Sequence, residues 1–190
     1  MDMVSEPISP GFVPGSREDV GVSHPERDAE KTALLAWLNE QREHALGILD
    51  GLDEAALRRP VLPSGWTCLG MVRHLAGLER FWFRAVVAGE RAVIDGLAEE
   101  PDEWQVAPGV PVGTVFDLYR REGELANAII VATPLDAAPA WWPEGLFGDW
   151  RLHNLREIVL HVMTETACHA GHLDAARELI DGRQWLVLTE

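Results

Sequence analysis

The chain has 190 residues, 47% of them hydrophobic, and a formal net charge of −15 at pH 7. That length suits one domain with a sizeable core, and the acidic balance excludes the basic patch that a nucleic-acid backbone demands. No apolar stretch is long enough to span a bilayer. The opening MDMVSEPISPGF lacks the basic and apolar regions of a secretory signal, so the expected compartment is the cytoplasm.

Residues 1–27 carry Pro7, Pro10, Pro14 and Pro25 among Gly, Ser and scattered charge. They show no period of 2 or 3.6 and read as a mobile tail ahead of a domain over 28–190. A first helix is predicted from Asp28 to Asp50, with Leu34, Leu35, Leu38, Ala45, Leu46 and Leu49 at helical spacing and Gly51 as its stop. A short turn at Asp53–Arg58 and a connector with Pro60, Pro63 and Gly65 follow. The second helix is predicted from Thr67 to Gly89, with Met71, Leu75, Leu78, Phe81, Trp82 and Ala85 on its apolar stripe and His74 inside that stripe.

Residues 90–112 read as a long acidic loop with one short turn. Its run Glu99, Glu100, Asp102, Glu103 reads as a solvated face. A third helix is expected from Thr114, with Asp117 in the capping-box position, to Val131, ended by Thr133-Pro134. Residues 134–152 form a second long connection. Its Trp141, Trp142 and Trp150 are either an aromatic wall over a cleft or anchors pinning a loop to the core. The fourth helix is predicted over Asn154–Gly182, with Asn154 as cap and Gly182 as stop, and Gln184–Glu190 form a short extended tail.

Four amphipathic helices without a strand pattern predict an all-α four-helix bundle. Cys68 and Cys168 form neither a CxxC pair nor a disulfide framework, and both read as small buried residues.

The fourth helix carries the chemistry. Ile158, Val162, Leu173, Ala176 and Ile180 mark a core-facing stripe, yet His161, Glu165, His169 and His172 fall on the same face. Buried ionisable groups cost several kcal/mol unless they are paired or bound to metal. Glu165 and His169 stand at i, i+4, and His74 on the second helix is the natural partner from a neighbouring helix. Imidazole and carboxylate ligands suit Zn²⁺, Ni²⁺ or Fe²⁺, and three protein ligands would leave coordination positions open. The bland alternative is a hydrogen-bonded polar network inside a plain bundle.

Two segments, PSGWTCLGMVRHLAGLERFW (63–82) and HVMTETACHAGHLDAARELIDG (161–182), resemble the signature segments of the DinB-like superfamily. They are closest to a branch near the mycothiol-dependent maleylpyruvate isomerases and the thiol S-transferases. The resemblance implies a DinB-like four-helix bundle with a divalent metal ion held by three ligands. These would be His74, His169 of an H-x-G-Q-like motif, and Glu165 four residues earlier. Many members have histidine at that earlier position, and the isomerase branch has glutamate. This chain departs from the motif by placing His172 where glutamine is usual. His172 is therefore the reserve ligand and the expected proton-transfer group, with His161 a weaker reserve.

The function implied is a metal-dependent transfer or isomerisation in which a low-molecular-weight thiol such as mycothiol attacks a small electrophile. The alternative is a metal-binding stress or sensor protein without turnover. The expected partners are small molecules, with neither nucleic acid nor membrane, and the exposed helical faces leave room for a homodimer.

Overall fold

A computed structural model of the chain describes residues 24–97, 104 and 106–185, with side chains from residue 28 onward. Among the described residues there are six α-helices, one π-helical segment and no strand. Helix α1 runs over His24–Gly47, α2 over Glu54–Leu57, α3 over Cys68–Glu79, α4 over Arg91–Gly96, α5 over Val112–Ala132 and α6 over Leu155–Asp181. The expected tail falls mostly on residues 1–23, outside the described set, while 24–27 form the first turn of α1. The expected C-terminal tail is described only to Trp185, and the acidic run of Glu99, Glu100, Asp102 and Glu103 also lies outside.

The four long helices form the expected bundle. Helix α1 packs against α6 and α3 against α5, with α3–α6 and α1–α5 closing the ring. The chain therefore crosses the bundle diagonally from α1 to α3 and again from α5 to α6, which accounts for its long connections.

Local chemistry fixes several helix ends. Thr67 caps α3, its hydroxyl accepting from the Gly70 amide at 3.0 Å. Asn154 caps α6, its carbonyl oxygen accepting from the Glu157 amide at 3.0 Å. The Glu157 carboxylate returns to the His153 amide at 2.7 Å, one residue outside the usual capping box. Gly182 ends α6 in the left-handed conformation with φ 78°.

Helix α5 differs from expectation. It starts two residues earlier, behind Pro111, and makes no side-chain cap bond. Proline's fixed φ and the connector's entry angle set its start, and Asp117 instead accepts from Arg120 at 3.2 Å.

The second predicted helix is also not uniform. From Arg80 to Val87 it opens into a π-helical segment, and the Ala88 amide reaches the Phe83 carbonyl five residues back at 2.9 Å. The widened turn buries Trp82, Phe83, Ala85, Val86 and Val87 together, which a 3.6-residue repeat would spread around the helix.

The core falls into two apolar clusters. One gathers Ala45, Leu69, Leu75, Tyr119, Ala170 and Leu173. The other gathers Leu38, Trp82, Phe83, Ile130, Ile158 and Val162. Each long helix contributes at least one buried polar residue, Arg42, Glu79, Glu122 and Thr166, with Arg177 a second on α6.

Arg42 and Glu79 form a bidentate pair, with Nε–Oε1 at 2.7 Å and Nη2–Oε2 at 2.6 Å. Arg42 Nη1 also donates to the side-chain oxygens of Asn39 and Asn127 at 2.7 and 2.6 Å. Glu122 accepts from Arg84 at 3.0 Å, and the Thr166 hydroxyl donates to the Val162 carbonyl at 2.8 Å. The layer therefore satisfies its main charges internally, as burial requires.

Candidate metal and thiol site

On α6 the positions that reach the core are Ile158, Val162, Thr166, Ala170 and Leu173. The ionisable residues occupy the adjacent rows. His161, Glu165 and His169 are partly buried and His172 is exposed. The sequence expectation that all four share the buried face is thus corrected. Small residues, Thr166 and Ala170, take the inner positions, and the charged groups line the border of the buried face, where water reaches them.

That border faces α3. The His74 ring meets the His169 ring edge to face, with centroids 5.0 Å apart and planes at 85°. His169 Nε2 lies 3.8 Å from Glu165 Oε2, and His169 Nδ1 lies 3.4 Å from His172 Nδ1. The expected residues from two helices are therefore neighbours. Among the described residues, however, no group of three or more His, Cys, Asp or Glu side chains is arranged to grip an ion. The donor chemistry fits a divalent cation, since two imidazoles and a carboxylate from two rigid helices lie side by side, but the present rotamers do not converge as a ligand set.

Protonation follows burial. The imidazolium of His169 is disfavoured by desolvation first and by the nearby His74 second, against an opposing pull from Glu165, and its pKa is pushed down to about 4. At neutral pH the ring is uncharged, so its approach to Glu165 is a dipolar contact and not an ion pair. Neutral imidazole is also the form that ligates metal. His161 is likewise shifted down by burial, partly offset by Glu165.

His161 belongs to different surroundings. It stands two turns from His169, about 12 Å along the axis. Its ring packs on Trp82 with centroids 4.8 Å apart and on Trp150 at 5.3 Å. The tryptophans of the second long connection divide the two expected roles. Trp142 is buried against the core and pins the loop, while Trp150 is 45% exposed and leans on His161.

One residue of the site escaped sequence reasoning. The Trp104 indole stacks flat on His74, with centroids 4.0 Å apart and planes at 16°, and meets His169 at 5.9 Å. It sits in the acidic connection, where a lone tryptophan carried no periodic signal. The trace that was available is Gly70. A Cβ built there would fall 2.1 Å from the Trp104 carbonyl oxygen, so only glycine lets the loop pass this close to α3.

The cysteines separate in the same way. Cys68 is buried, and burial raises its thiol pKa to about 11, so it is a packing residue. Cys168 is exposed, against the expectation that both are buried, because it sits on the outer face of α6 beside His169.

A family model described as mycothiol S-transferase matches residues 33–182, from early α1 to the end of α6. Two curated relatives are 33% identical over 91 residues. They are the 3-hydroxyacyl-[acyl-carrier-protein] dehydratases FabZ of Polynucleobacter necessarius subsp. necessarius (strain STIR1) and Polynucleobacter asymbioticus (strain DSM 18221 / CIP 109841 / QLW-P1DMWA-1). Each alignment covers 47% of this chain and 61% of the relative's length. No solved structure matches.

Proposed function

The chain belongs to the mycothiol S-transferase family, and on that premise we propose that it transfers mycothiol, or a thiol of that type, to a small electrophilic substrate at the α3–α6 border. In this reading His74, Glu165 and His169 hold a divalent ion of zinc, nickel or iron. The observation that carries it is the meeting of His74 and His169 from two helices at 5.0 Å.

A divalent ion held there would favour the thiolate form of a bound thiol, the nucleophilic form. The protein's own groups do the rest. Burial keeps His169 neutral, with its lone pair available. Trp104 clamps the His74 ring by stacking, an arrangement worth about 0.5–1.5 kcal/mol beyond simple burial. Glu165 stands 3.8 Å from His169 on the same helix, near enough to share an ion with it.

His172, exposed at the rim and next to His169, takes the proton as the S–H bond breaks. The sulfur forms a bond to the electrophilic carbon, the bond to the leaving group breaks, and His172 returns the proton to that group. Isomerisation uses the same opening step, with the thiol later expelled. The match to the dehydratases leaves more than half of this chain uncovered, and no step of this mechanism is built on it.

The test is thiol conjugation followed by mass spectrometry, with tag-free protein, mycothiol and a panel of small electrophiles. The expected result is an adduct formed by wild type at a rate lowered at least about a hundredfold in His74→Ala, as loss of a catalytic ligand implies. Metal binding without any adduct across the panel would replace this reading with that of a binding or sensor protein. An unchanged rate in His74→Ala would remove the site itself.

A further inference from the structure

The connection from α5 to α6 carries Trp141, Trp142 and Trp150, and Trp150 reaches the same helix border as His74 and His169. Two contacts set the register of that border. His74 meets His169 at 5.0 Å. Eight residues further along the chain, Trp82 meets His161, eight residues back along α6, at 4.8 Å. The two helices are therefore antiparallel, and both pairs lie on one continuous border. Eight helical residues span about 12 Å. Leu78 and Glu165 hold the midpoint of this register, both partly buried. A molecule that reacts at the histidine end can lie along the border to the aromatic end.

That end is a shelf of rings. Gly145 and Gly148, at φ 81° and 59°, turn the connection back on itself, in a conformation that strains other residues. The turn lays Phe147 flat on Trp82, with centroids 5.7 Å apart and planes at 14°. Trp150 stands against Phe147 at 5.4 Å and against His161 at 5.3 Å. Trp150 is not what holds the connection down. Trp142, 7% exposed, does that, together with the Ala140 and Trp141 amides donating to the Val87 and Val86 carbonyls at 3.3 and 3.1 Å. Trp150 keeps 45% of its surface exposed while rings fix its other side, so a ligand that covers it pays little for ordering. Arg151, the cation of this segment, is occupied: it donates to Glu144 at 3.1 Å and lies over Trp142 at 5.3 Å. What the shelf offers is ring faces and edges, the surface that receives another aromatic ring.

We propose that this shelf holds the far end of the electrophile, and that the preferred substrates carry an aryl group on a spacer that sets it about 12 Å from the reacting end. The place of the reacting end rests on the thiol-transfer reading, whereas the aryl site stands on the geometry of the shelf. Trp150 covers the aryl ring, and His161 forms one wall of the site.

The probe for the aryl site is 6-phenylhexan-1-ol, titrated into full-length, tag-free protein and followed through the tryptophan indole N–H signals by heteronuclear NMR, with 1-hexanol as control. Single Trp→Phe variants identify the signals. Trp37 and Trp185, 57% and 50% exposed, are internal controls for indiscriminate ring contact. The expected result is a saturable shift at Trp150, at least about tenfold weaker binding of hexanol, and no saturable shift at Trp37 or Trp185. No shift at Trp150, equal shifts at all three indoles, or equal affinity for hexanol would overturn the proposal.

Conjugation tests the reacting end. With a terminal epoxide the thiol sulfur bonds to the terminal carbon as its C–O bond breaks, and the alkoxide takes the proton. Across epoxides with a phenyl group on spacers of increasing length, kcat/KM should rise to an optimum near a reach of about 12 Å. Trp150→Leu should lower the preference for the phenyl epoxide over an alkyl epoxide of equal length about tenfold, through KM. Conjugation without that preference would overturn the substrate class and leave thiol transfer standing. Saturable binding at Trp150 without conjugation of any epoxide would support the aryl site and count against the thiol-transfer reading instead.

Discussion

The imidazoles of His74 and His169 meet edge to face at 5.0 Å, although ninety-five positions separate them in the chain. The diagonal path of the chain through the bundle makes this possible, because it sets α3 beside α6 rather than beside α1. Two rigid helices therefore fix the pair, and the acidic connection adds Trp104 against its outer side.

That third element depends on a hydrogen atom. Gly70→Ala places a methyl group where the Trp104 carbonyl now lies, and backbone cannot yield cheaply. The substitution is expected to cost about 1–3 kcal/mol in urea unfolding, the usual cost of overpacking. Gly113→Ala in α5, where nothing lies within 4 Å, is the control and is expected to be neutral or to stabilise by up to about 1 kcal/mol. Equal effects from the two would contradict the close approach at Gly70.

Most of the bundle was legible from periodicity and caps. Asn154 and Gly182 bound α6 as their residue types dictate, and Thr67 caps α3. Three features were missed, two of them for a tertiary reason. The π-helical segment after Glu79 answers to the packing of Trp82 and Phe83 between neighbouring helices, which a single-helix pattern does not contain. The start of α5 answers to Pro111. The partial exposure of His161, Glu165 and His169 turns on a rotation of α6 that places Thr166 and Ala170 innermost, and an angular plot of one helix does not fix that rotation. The helical positions of His74, Glu165 and His169 made their proximity legible, whereas Trp104 comes from a loop and has no period to betray it.

The polar layer at mid-bundle makes a second prediction. Glu79 is 1% exposed and holds Arg42 by two hydrogen bonds. Glu79→Ala leaves a guanidinium buried without its counter-ion and is expected to cost about 3–5 kcal/mol. Replacing both partners, Arg42→Met with Glu79→Leu, is expected to cost less than the sum of the two single variants, because no stranded charge remains. Chemical denaturation of the four proteins measures the coupling. Strict additivity would show that the pair does not act as a unit.

Acid sensitivity follows from the histidines. Burial lowers the pKa of His169 to about 4, from an ordinary value of 6.5, and shifts His161 in the same direction. In chelator, as pH falls below 6.5 the unfolded chain binds protons before the folded chain does, so stability present above that value is lost on descent towards about 4. The paired carboxyls of Glu30 and Asp181, held low by Arg156 and Arg177, add a loss of the same sign below about 4.5. His169→Gln should therefore flatten the stability profile between pH 6.5 and 4.5, leaving the steeper acid limb in place. An unaltered slope in that variant would show that His169 is not desolvated in the native state.

The most direct test of the account is zinc binding by tag-free, chelator-stripped protein, measured for wild type and for His74→Ala, Glu165→Ala and His169→Ala. The account predicts one ion per chain in wild type, and affinity lowered at least about tenfold in each variant. One ion bound with wild-type affinity in both His74→Ala and His169→Ala, or none bound by wild type, would contradict it.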